Sequence, residues 1–409
     1  MLKKKIKLNE FKYINASPYE ADEAFIYANY DKDNYHYTLI NNYLTYRLLP
    51  QKVILSWNFP KEVKVSEALI ELSQNRDMSD SLKVVANRYF GKIYNLLTDT
   101  KYYWRVTLKT EENGEIVSKV SSFRTLYGRR VLKIEGVENA RDFGGIKTLS
   151  GLAIKQGLAF RSGEMDNDHQ ITENGIRELR KVLKIRSDLD LRKPTEINKE
   201  GIVPKSSPIG EDVNYFHYSA HEYSAFLKGE TNEKEILSVF ADFDNYPILY
   251  HCKYGADRTG TLTFILHALC GLDENFIALD YELTQWRQRS YEKYRELVES
   301  FKKIKGKTFQ QKAYFLMKEN FGLTLMQISN IYNIFMTDSA VFQSKALTTL
   351  HKTEFFLEMR GAKKVKEVLL DGKKTEFSFK ENKLKLLTKN KDYKIGKILF
   401  NDGQVLWFE

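Results

Sequence analysis

His251-Cys252-Lys253-Tyr254-Gly255-Ala256-Asp257-Arg258-Thr259-Gly260 stands past the midpoint of a 409-residue chain, after the apolar run Ile248-Leu249-Tyr250 and before Leu262-Thr263-Phe264-Ile265-Leu266. That succession reads as strand, tight loop and helix. A loop that enters a helix turns unpaired backbone N–H groups toward one spot, where the positive end of the helix dipole also lies. Such a cradle suits a phosphate and stabilises a thiolate, which makes Cys252 a candidate nucleophile. Arg258 closes the loop with a planar fork that matches two phosphate oxygens. The chemistry expected of this arrangement is cleavage of a phosphate ester through a cysteinyl-phosphate.

Upstream stand Asn139-Ala140-Arg141-Asp142-Phe143-Gly144-Gly145, Arg161-Ser162-Gly163 and Asp190-Leu191-Arg192 followed by Glu196. With the His-Cys-x5-Arg-Thr-Gly stretch, these resemble the signature of protein tyrosine phosphatases and their dual-specificity and phosphoinositide relatives, and among them the bacterial tyrosine/serine phosphatase group. The resemblance runs over about residues 130 to 335. Asp142-Phe143-Gly144 is also a kinase tripeptide, but no glycine-rich phosphate loop and no His-Arg-Asp loop accompany it. The central loop also lacks the Gly-Lys-Ser/Thr ending of a nucleotide-binding loop.

The resemblance implies a role for each residue. Cys252 attacks phosphorus and Arg258 stabilises the phosphoryl group. The backbone of Lys253, Tyr254, Gly255, Ala256, Asp257 and Arg258 holds its oxygens. His251 fixes the loop, or is a core histidine at a strand end. Thr259 donates its hydroxyl to the thiolate, or caps a helix. Asn139, Arg141, Asp142, Arg161 and Arg192 support the site. The proton for the leaving oxygen comes from Asp257, with Asp190 as the second candidate. Either carboxylate could instead orient an arginine, Asp257 toward Arg258 or Arg161 and Asp190 toward Arg186 or Arg192. Related bacterial enzymes often carry lysine where this chain has Ala256. That departure weakens the expectation of multiply phosphorylated lipid or inositol substrates, although Lys253 lies in the same loop.

A chain of this length exceeds one ordinary core. Its 42% hydrophobic content, seven prolines and absence of Gly/Ser-rich tracts argue for abutting folded domains. No apolar stretch reaches the length needed to cross a bilayer, and Met1-Leu2-Lys3-Lys4-Lys5-Ile6-Lys7 is not followed by the apolar run of a secretion signal. Two cysteines suit a reducing compartment, so a cytoplasmic location is expected. Cys270, in the apolar run after the loop, is expected in the core and too far from Cys252 for a disulfide. The net charge of +10 suits a field that gathers anionic substrates, or reflects a lysine-rich composition without a basic block. No nucleic-acid motif is present.

Residues 1–127 read as an all-β unit. Its β-prone runs are Val53-Ile54-Leu55-Ser56-Trp57, Ala68-Leu69-Ile70-Glu71-Leu72-Ser73, Tyr102-Tyr103-Trp104-Arg105-Val106 and Ser121-Ser122-Phe123-Arg124-Thr125. Leu96-Leu97-Thr98-Asp99-Thr100-Lys101-Tyr102 resembles the approach to the tyrosine corner of fibronectin type III domains, which implies a sandwich with Trp57 in its core. Helical patterns follow the central loop over Glu274–Ser300 and Phe309–Phe335, with Tyr291, Tyr294 and Phe301 as core or lid aromatics. From residue 353 to 409, short β runs alternate with the hairpin signals Asp371-Gly372 and Asp402-Gly403.

The expected architecture is therefore multidomain: a β-sandwich (1–127), a central α/β phosphatase-like domain (128–350) and a small β domain (353–409). The expected activity is hydrolysis of phosphotyrosine in proteins, extending to phosphoserine and phosphothreonine, without metal or organic cofactor. The alternatives are a phosphatase of phosphoinositides or inositol polyphosphates, and a phosphoprotein-binding adaptor without turnover.

Overall fold

Strand Ile248–His251 is the middle strand of a five-stranded sheet in the second of two compact units, Met1–Lys133 and Ile134–Glu409, of the computed structural model. The structure describes residues 10–16, 50, 52–111, 114–272, 274–283, 291–336, 346–351, 354–358, 364–381, 383–388, 393, 395–401 and 403–408.

In the first unit the described strands are β1 (Glu10–Ala16), β2 (Lys52–Asn58), β3 (Val65–Ser73), β4 (Leu82–Ala86), β5 (Phe90–Tyr94), β6 (Lys101–Thr110), β7 (Gly114–Val117) and β8 (Ser121–Arg124). They form two antiparallel sheets, β1-β2-β5 and β4-β3-β6-β7, with β8 also on β6. Alternation along β2 and β6 turns Val53, Leu55 and Trp57 inward from one sheet and Tyr102, Trp104, Val106 and Leu108 inward from the other. These side chains form one core, in which each fully buried aliphatic contributes about 1.5–3 kcal/mol. The indole of Trp57 donates to the Arg88 carbonyl at 3.0 Å, and the Leu97 N–H donates to the Tyr102 hydroxyl at 3.0 Å.

In the second unit β9 (Arg141–Asp142), β10 (Ala159–Ser162), β11 (Ser187–Asp190), β12 (Asn214–His217) and β13 (Ile248–His251) lie in the order β12-β11-β13-β10-β9. All pairs are parallel except β9 on β10. In register, Ser162, His251, Asp190 and His217 line up at the carboxyl ends of four strands. That edge is where α/β sheets build their sites.

The helices are α1 (Glu173–Arg177), α2 (Pro194–Ile197), α3 (Glu233–Ala241), α4 (Asp257–Cys270), α5 (Glu274–Glu282), α6 (Tyr291–Lys302), α7 (Phe309–Phe315) and α8 (Leu325–Met336). Helix α4 is buried on every side from Arg258 to Cys270, packed against α5, α7 and α8, which suits its unbroken apolar run. The helical pattern read over Phe309–Phe335 is broken after a π turn at Leu316–Asn320, where Gly322 takes a left-handed conformation. Tyr294 and Phe301 are buried, Tyr294 stacked on Tyr281 at 4.0 Å. The Tyr291 side chain lies outside the described residues.

Strands β14 (Ala346–His351), β15 (Glu354–Glu358), β16 (Val365–Leu370), β17 (Lys373–Thr375), β18 (Phe377–Lys380), β19 (Lys383–Leu386), β20 (Gly396–Phe400) and β21 (Val405–Phe408) form the sheets β14-β15-β19-β18 and β17-β16-β20-β21. Asp371 and Gly372, at φ of 48° and 82°, make the tight turn between β16 and β17. Asp402 lies outside the described residues. The Asn333 amide on α8 brackets Val405, accepting from its N–H at 2.8 Å and donating to its carbonyl at 2.9 Å, so a helix side chain satisfies the backbone of β21.

Candidate active site

The turn from Cys252 to Ala256 joins β13 to α4, and Cys252 is buried with 2% of its surface exposed. Every carbonyl from Lys253 to Ala256 is held on the outside of this turn. Lys253 accepts from the Glu164 N–H (3.1 Å) and Tyr254 from the Asn139 amide (3.0 Å). Gly255 accepts from the Asn139 amide (2.9 Å) and Arg161 Nη2 (2.7 Å), and Ala256 from the Gly260 N–H (2.8 Å). In a trans peptide the N–H points opposite to the carbonyl, so anchoring four carbonyls outward turns the N–H groups of Tyr254, Gly255, Ala256 and Asp257 inward. The first turn of α4 adds N–H groups without intrahelical acceptors. Gly255 makes the curl feasible: at φ of 62° a Cβ would sit 2.3 Å from the Ser162 carbonyl oxygen.

The anchors are themselves a buried ionic cluster. Asp280 on α5 accepts from Arg141 Nε at 3.1 Å and from Arg161 Nη1 at 2.6 Å, and Arg141 Nη1 donates to Asn139 Oδ1 at 2.5 Å. Arg141, Arg161 and Asp280 are all almost fully buried. Asn139, in the left-handed conformation at φ of 56°, thus carries the charge of the cluster to the loop carbonyls. Asp142 does a different task, accepting from the Gly144 and Gly157 N–H groups at 2.8 Å each and closing the turn around β9.

Arg258 lies in the first turn of α4, gripped by Glu196 of α2: Nη2 donates to Oε1 at 2.8 Å and Nη1 to Oε2. Burial works against the Arg258 charge, and Glu196 more than offsets it, raising its proton affinity. Burial likewise raises that of Glu196, but Arg258 and the Lys193 N–H hold it below the usual carboxylate range. Both Nη groups are engaged on one side. Arg258 Nε is buried and has no hydrogen-bond partner among the described residues. An unsatisfied buried donor at the rim of an N–H cradle is suited to an anionic oxygen.

Behind the loop, His251 lies between two aspartates, with Nε2 3.2 Å from Asp188 Oδ1 and Nδ1 4.0 Å from Asp190 Oδ1. Burial opposes its charge, yet Asp190 and Asp188 raise its pKa to about 9. Asp190 is fully buried and takes bonds from Arg192 Nη2 (2.7 Å), the Arg192 N–H (2.9 Å) and the Tyr215 hydroxyl (3.0 Å). Burial raises its pKa, but His251 and Arg192 more than compensate and bring it to about 2. Of the arginines weighed for Asp190, Arg192 is the one it holds. Arg192 also donates to Glu164 (3.1 Å) and Asp166 (2.7 Å).

Asp257, the first residue of α4, is half-exposed and accepts a bond at Oδ1 from the Tyr223 hydroxyl. Arg258 and Arg161, the partners weighed for it, are engaged by Glu196 and Asp280. Thr259 is the third residue of α4 and Ala256 occupies the cap position, so Thr259 is not the N-cap. Its hydroxyl is buried with no hydrogen-bond partner among the described residues. Lys253 Nζ pairs with Asp168 at 2.9 Å. Cys270 is free and buried, and burial pushes its thiol well up.

The sequence model of the family described as "Tyrosine phosphatase family" matches residues 132–352, more than half of the chain and the whole of this site. The chain belongs to the tyrosine phosphatase family. It is 23% identical over 192 residues, 41% of the chain and 67% of the relative, to a protein of Cupriavidus necator whose name assigns it provisionally to the tyrosine-protein phosphatases. Two solved structures are similar to it in part. One is the core catalytic domain of the PP-IP phosphatase Siw14 from S. cerevisiae in complex with citrate, at 15% identity and a TM-score of 0.27 over 41% of this chain and 87% of that one. The other is a Siw14 catalytic core at 18% identity and a TM-score of 0.21, over 38% and 93%.

Glu196, Asp280 and Tyr223 are among the site residues that escaped the candidate roles drawn from the sequence. Glu196 was visible only as the tail of the Asp-Leu-Arg motif, with no partner attached. Asp280 and Tyr223 carry no local signal, because the groups they meet are 119 and 34 residues away in the chain.

Proposed function

We propose that this member of the tyrosine phosphatase family is a cysteine-dependent phosphatase that hydrolyses phosphotyrosine in proteins. The observation that carries the reading is the outward anchoring of the loop carbonyls around Cys252, with Arg258 Nε at the same rim and without a hydrogen-bond partner among the described residues. Cys252 Sγ attacks phosphorus. The S–P bond forms as the P–O bond to the substrate breaks, and Asp257 passes its proton to the leaving oxygen. Water then attacks phosphorus, returns a proton to Asp257 and displaces Sγ, which leaves as the thiolate with release of inorganic phosphate. Arg258 and the N–H groups of residues 253 to 258 stabilise the equatorial oxygens in both steps, and the Thr259 hydroxyl donates to the departing thiolate. Asp190, held as a carboxylate, orients Arg192 and His251 rather than giving a proton.

The substrate reading rests on charge. Among the described residues, three cations around the loop already have a carboxylate partner: Arg258 with Glu196, Lys253 with Asp168 at 2.9 Å, and Lys293 with Glu222 at 3.8 Å. Ala256 adds none. This balance favours a single phosphate ester over a polyphosphorylated ring, and serine or threonine esters fit the same cradle. The first unit is proposed to be fibronectin type III-like, supported by its two sheets and the Leu97 to Tyr102 hydroxyl bond. Two free cysteines and a thiolate mechanism support work in the cytoplasm. Among the described residues no helix is long and apolar enough to cross a membrane.

The test is phosphate release by wild type and Cys252→Ser from phosphotyrosine, phosphoserine and inositol phosphate substrates, with reductant and without metal. Cysteine-dependent turnover led by phosphotyrosine supports the reading. Preference for phosphoinositides or inositol polyphosphates transfers it to those compounds, and binding without turnover makes the protein an adaptor.

A further inference from the structure

We propose that Tyr223 is a positioning residue for proton transfer: its hydroxyl holds Oδ1 of Asp257, so that Oδ2 carries the proton to the leaving oxygen. The inference rests on Asp257 being the proton donor. Tyr223 opens a short helical turn, Tyr223–Lys228, and is tied twice to the first turns of α4. Its hydroxyl donates to Asp257 Oδ1, while its N–H donates to Thr261 Oγ1 at 2.9 Å, and that hydroxyl donates in turn to the Asp257 carbonyl at 2.8 Å. The backbone of Tyr223 is left-handed, at φ of 55°. For a bulky aromatic residue such a conformation costs on the order of 1–3 kcal/mol and persists only where its surroundings impose it. Here it delivers the ring beneath the loop.

The hydroxyl is also held from the other side. Tyr281 on α5 lies 2.6 Å from it, and both rings are buried, with Tyr281 stacked on Tyr294. With its proton given to Asp257, the Tyr223 oxygen accepts from Tyr281, which makes a chain of donors ending on the carboxylate. Burial, together with the Tyr281 hydroxyl and the Asp257 carboxylate, raises the proton affinity of Tyr223, so it stays a neutral donor. Lys293 lies 5.8 Å from the ring and is paired with Glu222. The hydrogen bond serves both forms of Asp257. In the acid, Oδ1 is the carbonyl oxygen and accepts from Tyr223 while Oδ2 bears the proton. When the O–H bond at Oδ2 breaks and the leaving oxygen takes the proton, the same bond stabilises the carboxylate.

The experiment compares kcat/KM for 4-nitrophenyl phosphate, whose phenol departs without a proton, with that for phenyl phosphate, whose phenol has a pKa of about 10. Wild type, Asp257→Asn, Tyr223→Phe and Tyr281→Phe are measured. Expected for Tyr223→Phe is about a tenfold loss on phenyl phosphate, with 4-nitrophenyl phosphate nearly unchanged and KM for both held. Asp257→Asn should show the same selective loss, larger, and Tyr281→Phe a smaller one. If Asp257→Asn is selective but Tyr223→Phe loses both esters alike, or neither, the positioning role is overturned and the donor assignment stands. If Asp257→Asn is not selective, the donor assignment fails and the inference falls with it. Should Tyr223→Phe not fold, Tyr281→Phe decides: a selective loss supports the chain of hydroxyls, and none overturns it.

Discussion

Glu196 grips Arg258 across 62 residues of sequence, meeting both terminal nitrogens of the guanidinium with its two carboxylate oxygens, at 2.8 Å for the Nη2 to Oε1 bond. The grip sets which edge of the planar fork faces the loop. Because Arg258 has five donors in fixed directions, engaging the Nη pair on one side turns Nε toward the other.

Glu196→Gln keeps the shape but removes the charge that fixes the fork. Turnover should fall about tenfold in kcat/KM, the cost of losing a charge-assisted pair. Glu196 also titrates below the usual carboxylate range in the folded chain. Its stabilising contribution is therefore present above its unfolded value and lost as pH falls through the lower folded one. Acid unfolding followed by circular dichroism should show less acid sensitivity in the variant over that interval, and an unchanged profile would show that the pair adds nothing to the fold.

His251 links charge to stability at the alkaline side. Its pKa in the folded chain, about 9, lies above the unfolded value near 6.5. The contribution of the protonated ring is thus fully present below about pH 6.5 and declines as pH rises through 9, by on the order of 3 kcal/mol in all. Urea midpoints measured at intervals from pH 6 to 10 should fall in wild type more steeply than in His251→Asn. Parallel curves would mean that Asp188 and Asp190 do not hold the proton.

Asp280→Ala removes the acceptor shared by Arg141 and Arg161 and leaves two buried guanidinium groups without it. Breaking a buried pair from one side costs about 3–5 kcal/mol. The denaturant midpoint should drop accordingly, and phosphate release should fall with it, because Arg161 also holds the Gly255 carbonyl. A variant as stable as wild type would refute the assignment of Asp280 as the anchor of the loop.

Gly255→Ala tests the curl directly. The added Cβ meets the Ser162 backbone oxygen, and the left-handed backbone is strained for alanine, so the loop must shift. Loss of turnover by at least 100-fold is expected, with a stability loss of about 1–3 kcal/mol in thermal melts. Near-normal kcat/KM would mean that the N–H cradle does not need this conformation.

Much of the site was legible in residues 251–260 because loop and helix start are contiguous, and a glycine, a cysteine and an arginine at fixed spacing suffice to specify a cradle. The strand at Val53–Trp57 was legible for the same kind of reason, since period-two burial is written along the chain. The motifs at Asn139–Gly145 and Arg161–Gly163 were visible as patterns, but the task of each residue was not. Asp280 holds Arg141, Arg141 holds Asn139 and Asn139 bonds the loop carbonyls, whereas Asp142, adjacent in sequence, points to a turn instead. The break at Gly322 was hidden because the apolar spacing runs through it on both sides.

What the chain determined by itself was the local kit: a nucleophile and an arginine on one turn, a helix behind them and strands whose apolar alternation requires a core. Only the tertiary structure decided how the charges pair. Asp190 ends its strand facing His251 and Arg192, Glu196 turns to Arg258, and Asp257 meets Tyr223. Periodicity and turn chemistry act within a few residues, while a carboxylate buried in a medium of low dielectric takes whichever cation or hydroxyl the packing of distant elements brings within about 3 Å.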